Sequence, residues 1–360
     1  MGSHDLTPSR SKSVVITGAS SGLGKSAAIH LSELGYRVFA GVRTESSAAE
    51  LSGLATSRGE LIPMLLDVTD SPSIARARKL VEQRCSDTGL WAVVNNAGIA
   101  ISAPLECVPI GVLRAQLETN VVGTVAVSQQ FLPLLRATGG RIINISSGVA
   151  NVVPPYLGAY AAAQFAKEGL SDALRRELRP LGVSVSVLQP GAVFTPLWGK
   201  MRLSGDEILA TAPAEIVATY RERFIESLNT SAGLAQASAT TTADYARAVA
   251  TALAAKHPKS RYRVGVDSWG SALARRAVPD RLMDALIAVG PKAVMKAFPH
   301  PGSRQPTSTW KRVIGHDRQQ AGDKCPSVGE EACPQGWSRG CSQPLEPRAR
   351  PVRSFPASGR

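Results

Sequence analysis

Ser13-Val14-Val15-Ile16-Thr17-Gly18-Ala19-Ser20-Ser21-Gly22-Leu23-Gly24 decides the fold. A short β-branched run enters a turn rich in glycine and serine, and a helical pattern over 24–34 follows at once. A pyrophosphate needs this setting. Glycines let the backbone bend and come close to the phosphates, while the helix N-terminus offers free N–H groups and positive potential. The spacing is TGxxxGxG rather than GxGxxG, and the position between strand and helix gives it meaning.

Outward from that turn, short apolar runs alternate with longer helical patterns, as a parallel sheet requires. Candidate strands cover 13–17, 37–42, 61–66, 91–95, 140–146 and 183–188, most of them near-continuous in apolar residues, as strands buried on both faces should be. Helical stretches cover 24–34, 74–85, 110–135 and 159–178, the last stopping before Pro180, and Gly35 stands where a helix C-cap is wanted. Beyond Pro190 the texture changes. Residues 191–240 read as a substrate-loop region with one helix at 213–228 and a small-residue stretch at 229–242; a helix at 244–256 and a last strand at 261–266 follow. Residues 280–298 form a basic amphipathic segment that suits a membrane surface, or better, docking on the core or capping a pocket. The fold expected is α/β, a doubly wound parallel sheet (Rossmann) with helices on both faces, forming one main domain over 12–298.

Residues 1–11 are polar and expected to be flexible. Residues 299–360 are expected to be a disordered tail, because 301–360 hold eight of the 24 prolines and almost no apolar periodicity. The net charge of +13 is spread out, that tail carrying +5 of it, and no basic run is interleaved with aromatics. Nucleic acid is therefore not expected as a partner. Val14-Val15-Ile16, the first apolar run, is too short for a signal peptide or a stable membrane span, so a cytoplasmic location is expected. Cys85 and Cys107 read as small hydrophobes. Cys325, Cys333 and Cys341 recur every eight residues with only His316 near, and no CxxC pair points to a metal.

The end of the second strand reports on the adenosine ribose. It reads Val42-Arg43, with no carboxylate at the point where a 2′-hydroxyl would be held, and Glu45 belongs to the first turn of a helix. Arg43 suits a 2′-phosphate, because its planar fork pairs with phosphate and stays charged. NADP is favoured over NAD.

At this point the chain resembles the short-chain dehydrogenase/reductase family over about residues 12–265. The cofactor turn (Gly18, Ser20, Ser21, Gly22, Leu23, Gly24), the Asp67-Val68 pair and the Asn95-Asn96-Ala97-Gly98 run are similar to the family's. So are Asn120 on its helix, Ser147 in Ile145-Ser146-Ser147, Tyr160 thirteen residues later, and Pro190-Gly191 with Val193 and Thr195 beyond. The resemblance implies that Tyr160 gives a proton to a carbonyl oxygen that Ser147 holds, with Asn120 supporting a water relay. It implies cofactor contacts from Asn95, Ala97, Gly98, Tyr160, Gln164, Pro190, Gly191, Val193 and Thr195. In a homodimer or homotetramer, the helices at 110–135 and 159–178 would form the contact.

One position departs. The family pattern is Tyr-x-x-x-Lys, whereas Gln164 follows Tyr160 here. A glutamine can bond ribose hydroxyls but carries no charge to lower the tyrosine's pKa from about 10. Lys167, about 10 Å further along the helix axis, reads as a surface residue. Two outcomes follow: an enzyme slow at neutral pH and faster in alkali, or a protein that binds dinucleotide without turnover. The flanking segments supply Ile99, Ile101, Val152, Val153, Pro154, Pro155, Tyr156, Val193, Phe194, Leu197, Trp198 and Met201. That lining points to a small lipophilic carbonyl or alcohol as substrate, and the resemblance is greatest to the retinol- and hydroxysteroid-dehydrogenase-like branch.

Overall fold

The computed structural model describes residues 12–54 and 58–289. The expectations for 1–11, for 299–360 with its three cysteines and for the second half of 280–298 lie outside the described residues. Seven strands form one sheet: β1 (Ser13–Ile16), β2 (Arg37–Val42), β3 (Glu60–Leu65), β4 (Leu90–Asn95), β5 (Arg141–Ile145), β6 (Ser184–Pro190) and β7 (Arg261–Val264). Their order is β3-β2-β1-β4-β5-β6-β7, and every neighbouring pair is parallel. The chain winds outward from β1 to β3, returns to the middle at β4 and winds the other way. The crevice between β1 and β4 is the switch point where such sheets bind ligands.

Alternate strand residues feed two cores, which is why the strands read as continuous apolar runs. Val14 and Ile16 pack with Ala27, Ala28 and Leu31 of α1 (Gly22–Glu33) and with Tyr245 and Val249 of α9 (Thr242–Ala254). Val15, Phe39 and Val93 face the opposite layer. There they meet Ile74 and Val81 of α3 (Ser71–Arg84), Phe131 and Leu135 of α5 (Gly123–Thr138) and Leu178 of α6 (Gly158–Leu178). On β2's far side, α2 (Glu45–Ser52) begins with Thr44 as its N-cap.

The structure corrects the helix expected at 110–135. It is two helices, α4 (Ile110–Leu117) and α5, joined by a π-helical turn at Glu118–Val122 that holds Asn120. Inserted turns of this kind often mark functional positions. It also corrects the region 191–240, which holds two helices: α7 (Leu197–Thr211) and α8 (Ala214–Ala237). α7 carries Gly205 inside it. A side chain there would press within 2.8 Å of the Phe224 ring and the Ser102 carbonyl, so glycine is a packing necessity inside the helix. Both helices cover a third apolar cluster, with Ile208, Leu209, Phe224 and Leu228 against Ile101, Cys107 and Ala159.

Two more helices close the described chain, α10 (Val266–Ala277) and α11 (Asp280–Val289). Met283 and Ile287 of α11 border a small cavity with Val152, Val153 and Phe165.

Phe131 is fully buried between α5 and the sheet. Phe131→Ala is expected to cost about 3–5 kcal/mol, read as a lowered denaturant midpoint with an unchanged slope.

Candidate active site

The turn after β1 is held from below by one asparagine. The Thr17 hydroxyl accepts from the backbone N–H groups of Asn96 (3.0 Å) and Ala97 (2.9 Å). Asn96 Nδ2 donates to the carbonyls of Thr17 (2.9 Å) and Gly18 (3.0 Å), and its Oδ1 accepts from Tyr245 Oη at 3.0 Å. Burial pushes the Tyr245 phenol upward, so it remains a protonated donor. Gly18 has φ +66°, and a Cβ there would lie 2.8 Å from the Ala97 Cα. A Cβ on Gly24 would lie 2.3 Å from the Gly18 carbonyl oxygen and 2.4 Å from Asn96 Nδ2. Ser21 enters α1 in an extended conformation without capping it, so the first-turn N–H groups stay free for an anion. Backbone cradle and open helix end together fit a dinucleotide pyrophosphate.

Above that floor lies a cleft of about 390 Å³. Gly18, Ser20, Ser21, Gly22, Leu23, Gly24, Arg43, Asp67, Val68, Ala97, Gly98 and Thr195, all singled out in the sequence, line it. Asn96 and Leu197, named in the sequence as part of the asparagine run and of the apolar lining, also line it, as do Thr119, Pro196 and Lys200, which were not anticipated. Lys200 could not be read from the sequence because its helix, α7, was not expected. Asn95 is a correction. As the last residue of β4 it points beneath the cleft, donating to Ser128 Oγ (2.9 Å) and Asn144 Oδ1 (2.8 Å). Arg43 is exposed at the end of β2, and no carboxylate among the described residues pairs with it. The Asp67 carboxylate accepts from Thr69 N (2.9 Å) and Oγ1 (2.7 Å), which fixes the turn after β3.

Ser147, Tyr160, Gln164, Pro190, Gly191 and Val193 lie off the lining of this cleft. Ser147 follows β5, Tyr160 and Gln164 stand one turn apart on α6, and the three side chains meet at the phenol. Burial raises the Tyr160 pKa, while hydrogen bonding to Ser147 and Gln164 pulls it back. Ser146, the neighbouring serine, is buried with its hydroxyl unpartnered. Asn120 Oδ1 accepts from Ile99 N (2.9 Å), and its Nδ2 donates to Ile99 O (3.0 Å). That side chain is therefore a clamp on the segment after Gly98. Its backbone carbonyl accepts from Thr124 Oγ1 (2.8 Å).

The loop after β6 is pinned from α10. Asp267 Oδ2 accepts from Ala192 N at 2.5 Å, and Ser268 Oγ donates to Gln189 O at 2.7 Å. A Cβ on Gly191 would lie 1.9 Å from Asp267 Oδ1, so that glycine is required by the carboxylate. Nothing in the sequence marked Asp267, because its target is backbone. Before α6, Tyr156 is the one non-glycine residue with positive φ (67°) among the described residues. Its ring meets Phe224 edge-on at 5.5 Å, which ties the active-site loop to α8.

Lys167 is the second correction. It is 2% exposed rather than on the surface, because the buried face of α6 runs through Gln164, Lys167 and Ser171. Burial pulls its ammonium from 10.5 to about 8, with Glu168 acting in the opposite sense. A folded pKa below the unfolded one penalises folding below pH 8, and the penalty is relieved as pH rises through about 8 toward 10.5. Lys167→Met is therefore expected to stabilise the protein at pH 7 by up to about 3 kcal/mol, with the gain fading in alkali. Thermal melts of both proteins across pH check the sign. Gly24→Ala is expected to abolish dinucleotide binding, measured by fluorescence titration, since neither the Gly18 backbone nor the Asn96 clasp can give way.

Comparison with known proteins agrees with this geometry. The sequence model of the short chain dehydrogenase family matches residues 12–204. A 3-amino-tetrahydro-pyrrolizinone reductase of Xenorhabdus hominickii is 43% identical over 257 residues, covering 71% of this chain and 88% of the relative. Human retinol dehydrogenase 16 is 36% identical over 286 residues, covering 78% and 89%. A short-chain dehydrogenase structure from Streptomyces avermitilis superposes with a TM-score of 0.62 at 25% identity, covering 81% of this chain and all of that one. The chain thus belongs to the short-chain dehydrogenase/reductase family, in its retinol- and hydroxysteroid-dehydrogenase-like branch, and is an oxidoreductase of CH–OH and C=O groups that uses a nicotinamide dinucleotide.

Proposed function

We propose that the chain transfers hydride between NADP(H) and a lipophilic carbonyl/alcohol pair, with Tyr160 as the acid/base. The observation that carries this reading is that Ser147 and Gln164 both hydrogen-bond the Tyr160 phenol and favour its charged form. When bound, the nicotinamide supplies or accepts the hydride; the chain's own residues do the rest. First-turn N–H groups of α1 receive the pyrophosphate, and Arg43, free of any carboxylate partner among the described residues, pairs with a 2′-phosphate. Ser147 donates a hydrogen bond to the carbonyl oxygen, and Tyr160 delivers a proton there as negative charge builds. In the oxidative direction the Tyr160 phenolate takes the proton back. Asn120 keeps Ile99 in place between cofactor and substrate.

Apolar surface supports a lipophilic substrate. Ile99 and Tyr156 pack on the cluster built from Ile101, Ile208 and Phe224, next to the Ser147–Tyr160 segment. The relatives' names fit, since one is a retinol dehydrogenase and another a reductase of a tetrahydropyrrolizinone. A second reading, dinucleotide binding without turnover, is favoured by one observation: among the described residues, no positive charge acts on Tyr160.

The test is NADPH oxidation, and NADP reduction, with pyrrolizinone-type ketones, retinoids and steroids across pH. Because burial raises the Tyr160 pKa, carbonyl reduction is expected to persist through neutral pH, where the phenol is protonated. Alcohol oxidation should climb with pH as the phenolate forms. Tyr160→Phe is expected to lower kcat by at least about 100-fold. Arg43→Ala should weaken NADPH binding by about tenfold or more and leave NADH nearly unchanged. Cofactor binding with no turnover at any pH would favour the second reading.

A further inference from the structure

Both phosphates of a dinucleotide's pyrophosphate are ionised at neutral pH. The first turn of α1 answers them with backbone N–H groups and the equivalent of only about half a charge. Most of the anion is left for side chains to meet. Among the residues that line the cleft, the cations are Arg43 and Lys200. They come from opposite halves of the sheet. Arg43 follows β2, outward from β1, whereas Lys200 belongs to α7, which follows β6 on the far side of β4.

Two contacts hold the start of α7 over the turn after β1. A Cβ on Gly22 would lie 3.4 Å from the Thr195 Cβ and 3.8 Å from the Pro196 Cδ, so the segment entering α7 rests on the first residue of α1. The Trp198 indole N–H donates to the Val193 carbonyl at 3.0 Å, which ties the first turn of α7 to the loop after β6. Lys200 comes one turn later, its backbone N–H donating to the Pro196 carbonyl at 3.3 Å. Leu197, Lys200 and Ser204, spaced by three and four residues, form the edge of α7 that lines the cleft, while Met201, Gly205, Ile208 and Leu209 form its buried edge. Helical side chains lean toward the N-terminus, so the Lys200 chain leans back toward the Pro196 turn. Its ammonium is uncommitted, since no carboxylate among the described residues pairs with it. Arg202, on the same helix, is by contrast held by Asn229 Oδ1 (2.7 Å) and Asp206 (3.9 Å). Asp67, the one carboxylate in the lining, is taken up with Thr69 in the turn after β3.

We propose that Lys200 is a dinucleotide-binding residue: its ammonium pairs with the cofactor's pyrophosphate from the α7 side and adds the charge that the α1 helix end lacks. A lysine suits this task, because a compact ammonium acts as a point charge on whichever phosphate oxygens come near. The two cations of the cleft then divide the work. Arg43 meets the 2′-phosphate and tells NADP from NAD, while Lys200 meets a group that both nucleotides share and adds affinity without discrimination. This deepens the reading of the cleft as a dinucleotide site and rests on it.

The experiment is fluorescence titration with NADPH and with NADH across a range of salt concentrations. The protein is compared with Lys200→Met, Lys200→Arg and Arg202→Gln. Lys200 is exposed, so its replacement leaves the cores untouched. Lys200→Met is expected to weaken NADPH and NADH by the same factor, about tenfold, and to flatten the dependence of affinity on salt. Lys200→Arg keeps the charge and should stay near the parent. Arg202→Gln, which removes an equal charge from the same helix outside the cleft lining, should change neither affinity. Competition by ADP, which carries a pyrophosphate, should weaken in Lys200→Met, and competition by adenosine 2′-monophosphate, which carries none, should not. Equal affinities in the protein and Lys200→Met overturn the proposal and leave the cofactor reading standing. A loss confined to NADPH and adenosine 2′-monophosphate also overturns it, since that places Lys200 at the 2′-phosphate. A matching loss in Arg202→Gln overturns it in favour of a diffuse field. Failure of the unmodified protein to bind either nucleotide sinks the cofactor reading and the proposal together.

Discussion

The Asn96 side chain sits where the two halves of the sheet part. Both its amide hydrogens are used on the carbonyls of Thr17 and Gly18, and its oxygen is held by Tyr245. Backbone carbonyls in a tight turn cannot pair within a ladder, so they need donors from elsewhere or suffer the desolvation penalty. By supplying them, Asn96 fixes the distance between the ends of β1 and β4. The glycines are consequences of that closeness. With the Gly18 carbonyl and the Asn96 amide packed against α1, position 24 has room for no side chain. The cleft, its open helix end and the approach of a phosphate all depend on this clasp.

A second polar assembly runs on the other side of the sheet. Asn95, Asn144, Ser128, Ser171 and the backbone of Lys167 form a buried seam between β4, β5, α5 and α6. Neighbouring asparagines thus serve opposite faces, Asn96 the turn after β1 and Asn95 the seam between β4, β5, α5 and α6. Strand geometry compels this division, since successive side chains point to opposite sides.

The doubly wound sheet was legible in the sequence because each β-branched run is buried on both faces and bounded by turn residues. Most cofactor-turn residues were legible because glycine there answers a backbone demand visible as spacing. What stayed hidden had side chains whose partners are distant in sequence or are backbone atoms. Tyr245 looked like any aromatic on the helix at 244–256, and Asp267 fell just past the last strand, in a stretch without an expected element. Lys167 was misread because a charged residue on a helix is presumed solvated, and only tertiary packing showed that its face is the inner one. Gly205 inside α7 is another case where packing, here against Phe224, overrides helix propensity.

Tyr245 and Asp267, the two tethers, share a property of chain order. Each reaches back to a loop formed much earlier in the sequence, Tyr245 to the turn below the cofactor cleft and Asp267 to the segment after β6. A protein made from its N-terminus lays down β1 to β6 before either tether exists. The turn below the cleft and the loop after β6 therefore gain these hydrogen bonds only once α9 and α10 have been made. Completion of both regions thus waits on residues beyond 240, well after the strands that frame them.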